Sequence, residues 1–173
     1  FCERVIESQR GLSSVRAEIV PDWKGRGNMC RGYTNSVTNF AMQAFWLDEQ
    51  VAEANQALRS LCDHYLTHQD DLHESHSFHW AGATFSRLWS FFGPDGSRAA
   101  GLIDAQTQTL MLEMFWTWSS VVSPILDPDA SRIWRIPNTE NHHAMGAVTA
   151  WALSKFLSES TDYEDRAYTD GRS

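Results

Sequence analysis

Apolar residues recur along most of this chain at intervals of three and four, the period of a helix with one buried face. Residues 1–16 show it weakly, with Val5, Ile6, Leu12 and Val15 among charges. Residues 21–32 hold Gly25, Gly27 and Gly32 and read as a loop by composition. A first clear helix is predicted over 33–47, with Val37, Phe40, Ala41, Ala44 and Phe45 on one face and Thr34 or Asn35 as its cap. A second is predicted over 48–67, lined by Val51, Ala54, Ala57, Leu58, Leu61 and Leu66. A polar stretch rich in His follows over 68–80. The third helix, 80–92, carries Phe85, Leu88, Trp89 and Phe92 and stops at Gly93-Pro94-Asp95-Gly96, a strong turn signal. The fourth, 98–119, has Leu102, Ile103, Leu110, Met114 and Phe115 as its core positions. A loop with Pro124 and Pro128 runs to Pro137. The fifth helix, 139–158, has the stripe Met145, Val148, Trp151, Ala152 and Phe156, and the polar tail after Ser160 is expected to be loose.

No segment alternates like a strand. The expected fold class is therefore all-α, built from consecutive αα-hairpins. Residues 33–67 and 80–119 form two of them, and the fifth helix begins a third. The expected organisation is one helical domain over 1–173, or a fragment of something larger. It has a leading segment at 1–20, hairpins at 21–158 and a polar tail at 159–173.

Composition narrows the classes. The chain has 173 residues, 42% hydrophobic and 21% charged, enough for one globular domain and too apolar for a disordered chain. No apolar run approaches the roughly 20 residues of a membrane span, so no membrane partner is expected. Lys plus Arg number 14 against 22 Asp plus Glu, a net charge of −8. That balance argues against a general nucleic-acid binder, which needs basic surface for phosphates. The chain opens on Phe1 rather than Met, which suggests a processed product or a piece of a longer protein. Cys2, Cys30 and Cys62 are too few and too scattered for a disulfide framework. One disulfide with one free thiol, and three buried thiols, both stay open.

The loops that precede each hairpin hold much of the Trp, His, Asn and Arg. If the hairpins stack side by side, the leading helices point the same way and their N-termini gather at one end, with free N–H groups suited to anions. The sharpest motif there is Asn138-Thr139-Glu140-Asn141-His142-His143. Thr139 suits a helix cap and Glu140 the positive end of the dipole. Asn141 and His142 pair an amide that can donate to a carboxylate with a group that exchanges protons near neutral pH. A capped helix with two solvated His is the plain structural alternative.

A second cluster is His73-Glu74-Ser75-His76-Ser77-Phe78-His79-Trp80, which lacks the order of a zinc protease motif. The His64/His68 pair, one helical turn apart, is read as exposed polar surface rather than a metal site, and no metal or other cofactor is expected. The third cluster, Trp23-Lys24-Gly25-Arg26-Gly27-Asn28, allows close backbone approach to a ligand and offers Arg26 for a bidentate carboxylate pair. Trp80, Trp89, Trp116, Trp118 and Trp151 lie on helical stripes and are expected in the core. Trp80 also closes the His-rich cluster. Trp23 and Trp134 lie in loops and suit stacking on a sugar ring. No serine-hydrolase elbow or Cys/His constellation is present.

Taken together, the helical hairpins and the Asn-Thr-Glu-Asn-His-His motif resemble part of an (α/α) toroid carbohydrate-active enzyme of the polysaccharide-lyase type. The architecture covers roughly residues 20–158 and the motif only 138–143. The resemblance implies β-elimination on a uronate polysaccharide, with Asn141 neutralising the carboxylate and His142 taking the proton. It also implies a secreted or periplasmic protein. The substrate-binding set would be Trp23, Arg26, Asn28, His76, His79, Trp80, Trp134 and His143. A glycoside hydrolase on the same fold, with Glu140 and Glu74 as carboxyl groups, is the first alternative. A non-catalytic helical scaffold is the second. Against the pattern, no catalytic Tyr can be assigned: Tyr163 and Tyr168 fall in the tail, Tyr33 opens the first helix and Tyr65 falls on an outer one. The chain also holds fewer hairpins than a toroid, and a net charge of −8 would need a locally positive cleft to hold an anionic substrate.

Overall fold

The computed structural model describes residues 27–67, 77–122, 140–160, 163 and 166. They form five helices and, among the described residues, no strand: α1 (Gly27–Leu47), α2 (Val51–Thr67), α3 (Ser77–Phe92), α4 (Ala105–Val122) and α5 (Glu140–Ser158). The all-α class is as expected; several boundaries are not.

Helix α1 starts at Gly27, inside the stretch expected to be a loop. An interior glycine weakens a helix by about 1 kcal/mol. Packing against α2 and α3 outweighs so small a term. Thr34 is accordingly no cap. It is buried within α1, and its hydroxyl bonds the Tyr65 hydroxyl of α2 at 2.6 Å. At the other end of α1 the chain turns sharply through Asp48 and Gln50, both at φ 54°, and α2 runs back antiparallel. Helix α3 begins at Ser77, so the last residues of the His-rich stretch are helical rather than loop.

Helix α4 begins at Ala105, not near Arg98. Residues 93–104 instead fold back over the end of α3. The N–H groups of Gly93, Ser97, Arg98, Ala99 and Ile103 donate to carbonyls of residues 89–92 at 2.9–3.1 Å. These bonds satisfy the acceptors that a helix end leaves open. Gly96 is required there, because a Cβ would lie 2.4 Å from the Phe91 carbonyl oxygen. Asp104 then caps α4: its Oδ1 accepts the Thr107 N–H at 2.8 Å. Asn55 of α2 staples the junction by donating to the Leu102 carbonyl at 2.9 Å and accepting the Asp104 N–H at 3.0 Å. Arg59 adds an ion pair to Asp104 at 2.6 Å.

The helices form two layers. In one, α3 packs between α1 and α5; in the other, α2 packs beside α4. Phe45 and Trp46, near the end of α1, meet Phe92 near the end of α3. Trp89 of α3 likewise meets Phe156, late in α5. These end-to-end matches make α1, α3 and α5 parallel. Asn55 meets Asp104 at one end of the second layer and Tyr65 meets Trp118 at the other, so α2 and α4 are parallel too. The first expected hairpin, α1 with α2, is present. The second is not a close backbone pair, because α4 has α2 and α5 as its near neighbours. Helices α3 and α4 meet across the core through large side chains. Phe85 lies 5.5 Å from Trp118 and 6.1 Å from Phe115, and Trp89 lies 5.9 Å from Phe115. Rings of this bulk hold two backbones apart while filling the space between them.

The α3 stripe Phe85, Leu88, Trp89 and Phe92 is buried as expected. The α5 stripe is the expected one only in part: Ala152 and Phe156 are buried as expected, but Val148 and Trp151 are not. Trp151 is 69% exposed and Val148 50%, while Thr149, Ala152, Leu153, Phe156 and Leu157 face inward. The buried set is an i, i+3, i+4 series rotated away from the one read in the sequence. Tyr65, expected on an outer helix, is 1% exposed. Tyr163, expected in a loose tail, is 8% exposed and docked on α4.

Candidate functional site

Parallel α1, α3 and α5 bring Gly27, Ser77 and Glu140, their first residues, to the same end of one layer. Much of the chemistry singled out in the sequence lies on these first turns. Asn28 is the second residue of α1. His79 and Trp80 close the first turn of α3. Glu140, Asn141, His142 and His143 form the first turn of α5. The structure describes these seven positions by their backbone alone. Trp23, Arg26, His76 and Trp134 lie outside the described residues, as do Glu74, His68 and Tyr168. The gathering of leading helix ends expected from side-by-side stacking is therefore present in the backbone. The first N–H groups of any helix have no acceptor within the helix and carry a partial positive charge, an arrangement that suits an anionic group.

One to three turns further along these helices lie small and polar residues. Gly82 of α3 faces Thr149 of α5 so closely that a Cβ at Gly82 would lie 2.2 Å from the Thr149 Cγ2. Ser86 donates to the Gly82 carbonyl at 2.6 Å. On α1, Thr38 donates to the Thr34 carbonyl at 2.8 Å. Thr34, Thr38 and Thr149 are all fully buried. Thr34 is held to α2 by the hydroxyl pair with Tyr65. Tyr65 had a signal in the sequence, since it continues the Leu58, Leu61, Cys62 face at helical spacing. Its partner Thr34 had none, because a threonine next to a glycine-rich stretch reads as a cap.

Two polar clusters lie away from this end. The Asn55–Arg59–Asp104–Thr107 group sits where α2 and α4 begin, at the opposite end of the molecule. Burial alone would raise the Asp104 carboxyl; the Thr107 N–H, with Arg59, outweighs it and holds the group below the usual range. On α4, Glu113 pairs with Arg166, whose hydrogen bonds hold its carboxyl low. Cys62 is free and buried, and burial pushes its thiol far up. It is a packing residue without thiolate character at neutral pH. Among the described residues no group of three His, Cys, Asp or Glu could hold a metal ion. None of their helices is long and apolar enough to cross a membrane.

Fold and helix ends together define the class of molecule: a two-layer helical array with the leading helices parallel. No family model, no curated protein and no solved structure matches the chain.

Proposed function

We propose that this chain carries one wall of the active site of a carbohydrate-active enzyme, a polysaccharide lyase of the (α/α) toroid type. One observation carries the reading: the parallel α1, α3 and α5 start at one end, with the Asn141-His142 pair in the first turn of α5. An amide and an imidazole beside several helix N-termini suit a uronate sugar. In this reading Asn141 donates to the uronate carboxylate and stabilises the charge that develops on it. His142 takes the proton alpha to that carboxylate. The electron pair forms the C4–C5 double bond, the C4–O bond breaks and the leaving oxygen takes a proton from water. His79, Trp80, Asn28 and His143 would line the substrate path, with Trp23, Arg26, His76 and Trp134 from the adjoining segments. The local field of the helix ends would offset the acidic net charge of −8. The test is ultraviolet absorbance of the unsaturated product on alginate, pectate and glycosaminoglycans. Activity on one of them, lost in Asn141→Ala and His142→Ala, is expected. No product from any of the three overturns the reading.

A second reading, a helical interaction module, draws on the exposed Trp151 and Val148 of α5. It predicts a stable complex that Trp151→Ala breaks, and no turnover.

A further inference from the structure

Two rows of residues, one on α1 and one on α5, repeat the same order at the same spacing. Arg31, Thr38 and Phe45 follow one another at two-turn intervals on α1, and His142, Thr149 and Phe156 do so on α5. That interval returns to nearly the same side of a helix. The lower members of each row show which side it is. Phe45 meets Phe92 of α3 with ring centroids 5.5 Å apart. Thr149 lies against Gly82 of α3, and Phe156 lies 5.9 Å from Trp89 of α3. Thr38 and Thr149 are fully buried. Both rows therefore run along α3, one on each side of it.

The first member of each row is a basic residue. Parallel helices rise equally per residue. Counting back from Phe45 and Phe92 puts Arg31 level with Phe78, in the first turn of α3. Counting back from Thr149 and Gly82 puts His142 just beyond Ser77, where α3 begins. Glu140, the acidic residue of the same turn, falls on the opposite side of α5 from Thr149. Two basic positions thus flank the start of α3 in a chain of net charge −8. Packed helices lie about 8–10 Å apart. With α3 between them, the two positions are too far apart to share one carboxylate.

We propose that Arg31 is a second anchor for the ligand: it takes the carboxylate of a neighbouring sugar residue in the polyuronate chain held at Asn141-His142, so that the chain crosses the start of α3. The inference rests on the function proposed above for what is bound at Asn141-His142, and not on any turnover there. Calorimetric titration of the full chain with tetrasaccharides of alginate, pectate and hyaluronan tests it. One of them should bind, and Arg31→Ala should weaken that binding about tenfold or more, as loss of a charge-assisted pair does. The methyl ester of the same tetrasaccharide should bind weakly, and equally to wild type and Arg31→Ala. Should Arg31→Ala fold poorly, Arg31→Gln replaces it with the same expectation. Unchanged affinity in the Arg31 variant overturns the anchor, and so does an ester that binds wild type as tightly as the acid. Binding of none of the three acids overturns it as well. The two proposals fail separately. Arg31-dependent binding without unsaturated product removes the lyase and leaves the anchor; product formed by Arg31→Ala at unchanged KM removes the anchor and leaves the lyase.

Discussion

Gly82 shows how one residue sets the distance between two helices. A methyl group there would lie 2.2 Å from Thr149 Cγ2 and 2.7 Å from its Oγ1, so α3 and α5 would have to separate. Gly82→Ala should destabilise the fold by about 1–3 kcal/mol despite the better helix propensity of alanine. Thr149→Ala in the same chain should restore part of that loss by vacating the space. Urea unfolding of the two single variants and the double variant checks both statements. Cys62 makes a second point at this scale. Its thiol is buried and pushed up by desolvation, so a thiol reagent should label it only as fast as the protein unfolds.

At the scale of elements, the junction into α4 depends on Asn55. Its side chain bonds Leu102 and Asp104, two backbone partners that have no other described bond of this kind across to α2. Asn55→Ala leaves a carbonyl and an N–H unsatisfied and should destabilise by roughly 2–3 kcal/mol. Helix α5 gives the opposite expectation. Trp151 is its largest described side chain, yet it is 69% exposed. Trp151→Ala should shift stability by no more than about 0.5 kcal/mol, where a core tryptophan would lose about 3–5. Thermal unfolding of the variant distinguishes the two. The sequence placed α3 and its buried stripe well, because Phe85, Leu88, Trp89 and Phe92 leave only one apolar face. On α5 it placed Ala152 and Phe156 correctly but also took the exposed Val148 and Trp151 as buried, because apolar residues occur nearly all round that helix. Periodicity cannot choose a face when several are apolar.

The whole molecule should be sensitive to acid. Glu113 and Asp104 both have carboxyls held below the usual range in the fold. Such groups contribute stability above the unfolded carboxylate value of about 4, and that contribution is lost as pH falls through their folded values. Tyr163 acts at the other limb. Its hydroxyl is pushed up by burial and by Glu113, so its contribution is present at neutral pH and lost as pH rises past the phenol range near 10. Urea midpoints measured from pH 7 downward should fall below pH 4, and Glu113→Gln should flatten that limb.

The all-α class and the stretch of chain belonging to most of the described helices were written in the spacing of apolar residues, because a helix must present a buried face every turn. So was the placement of Trp80 and Asn141-His142 near helix starts, whereas Asn28 was expected in a loop. Whether those starts share one end was not. That depends on α1, α3 and α5 being parallel neighbours, which rings such as Phe45, Phe92, Trp89 and Phe156 fix across helices far apart in sequence. Nor could spacing alone show that Tyr65 finds Thr34, or that Tyr163 and Arg166 find Glu113. Local pattern determines which residues become helix and which face can be apolar. Only the three-dimensional packing decides which apolar face is chosen and which polar groups meet, because those choices minimise the free energy of all five helices at once.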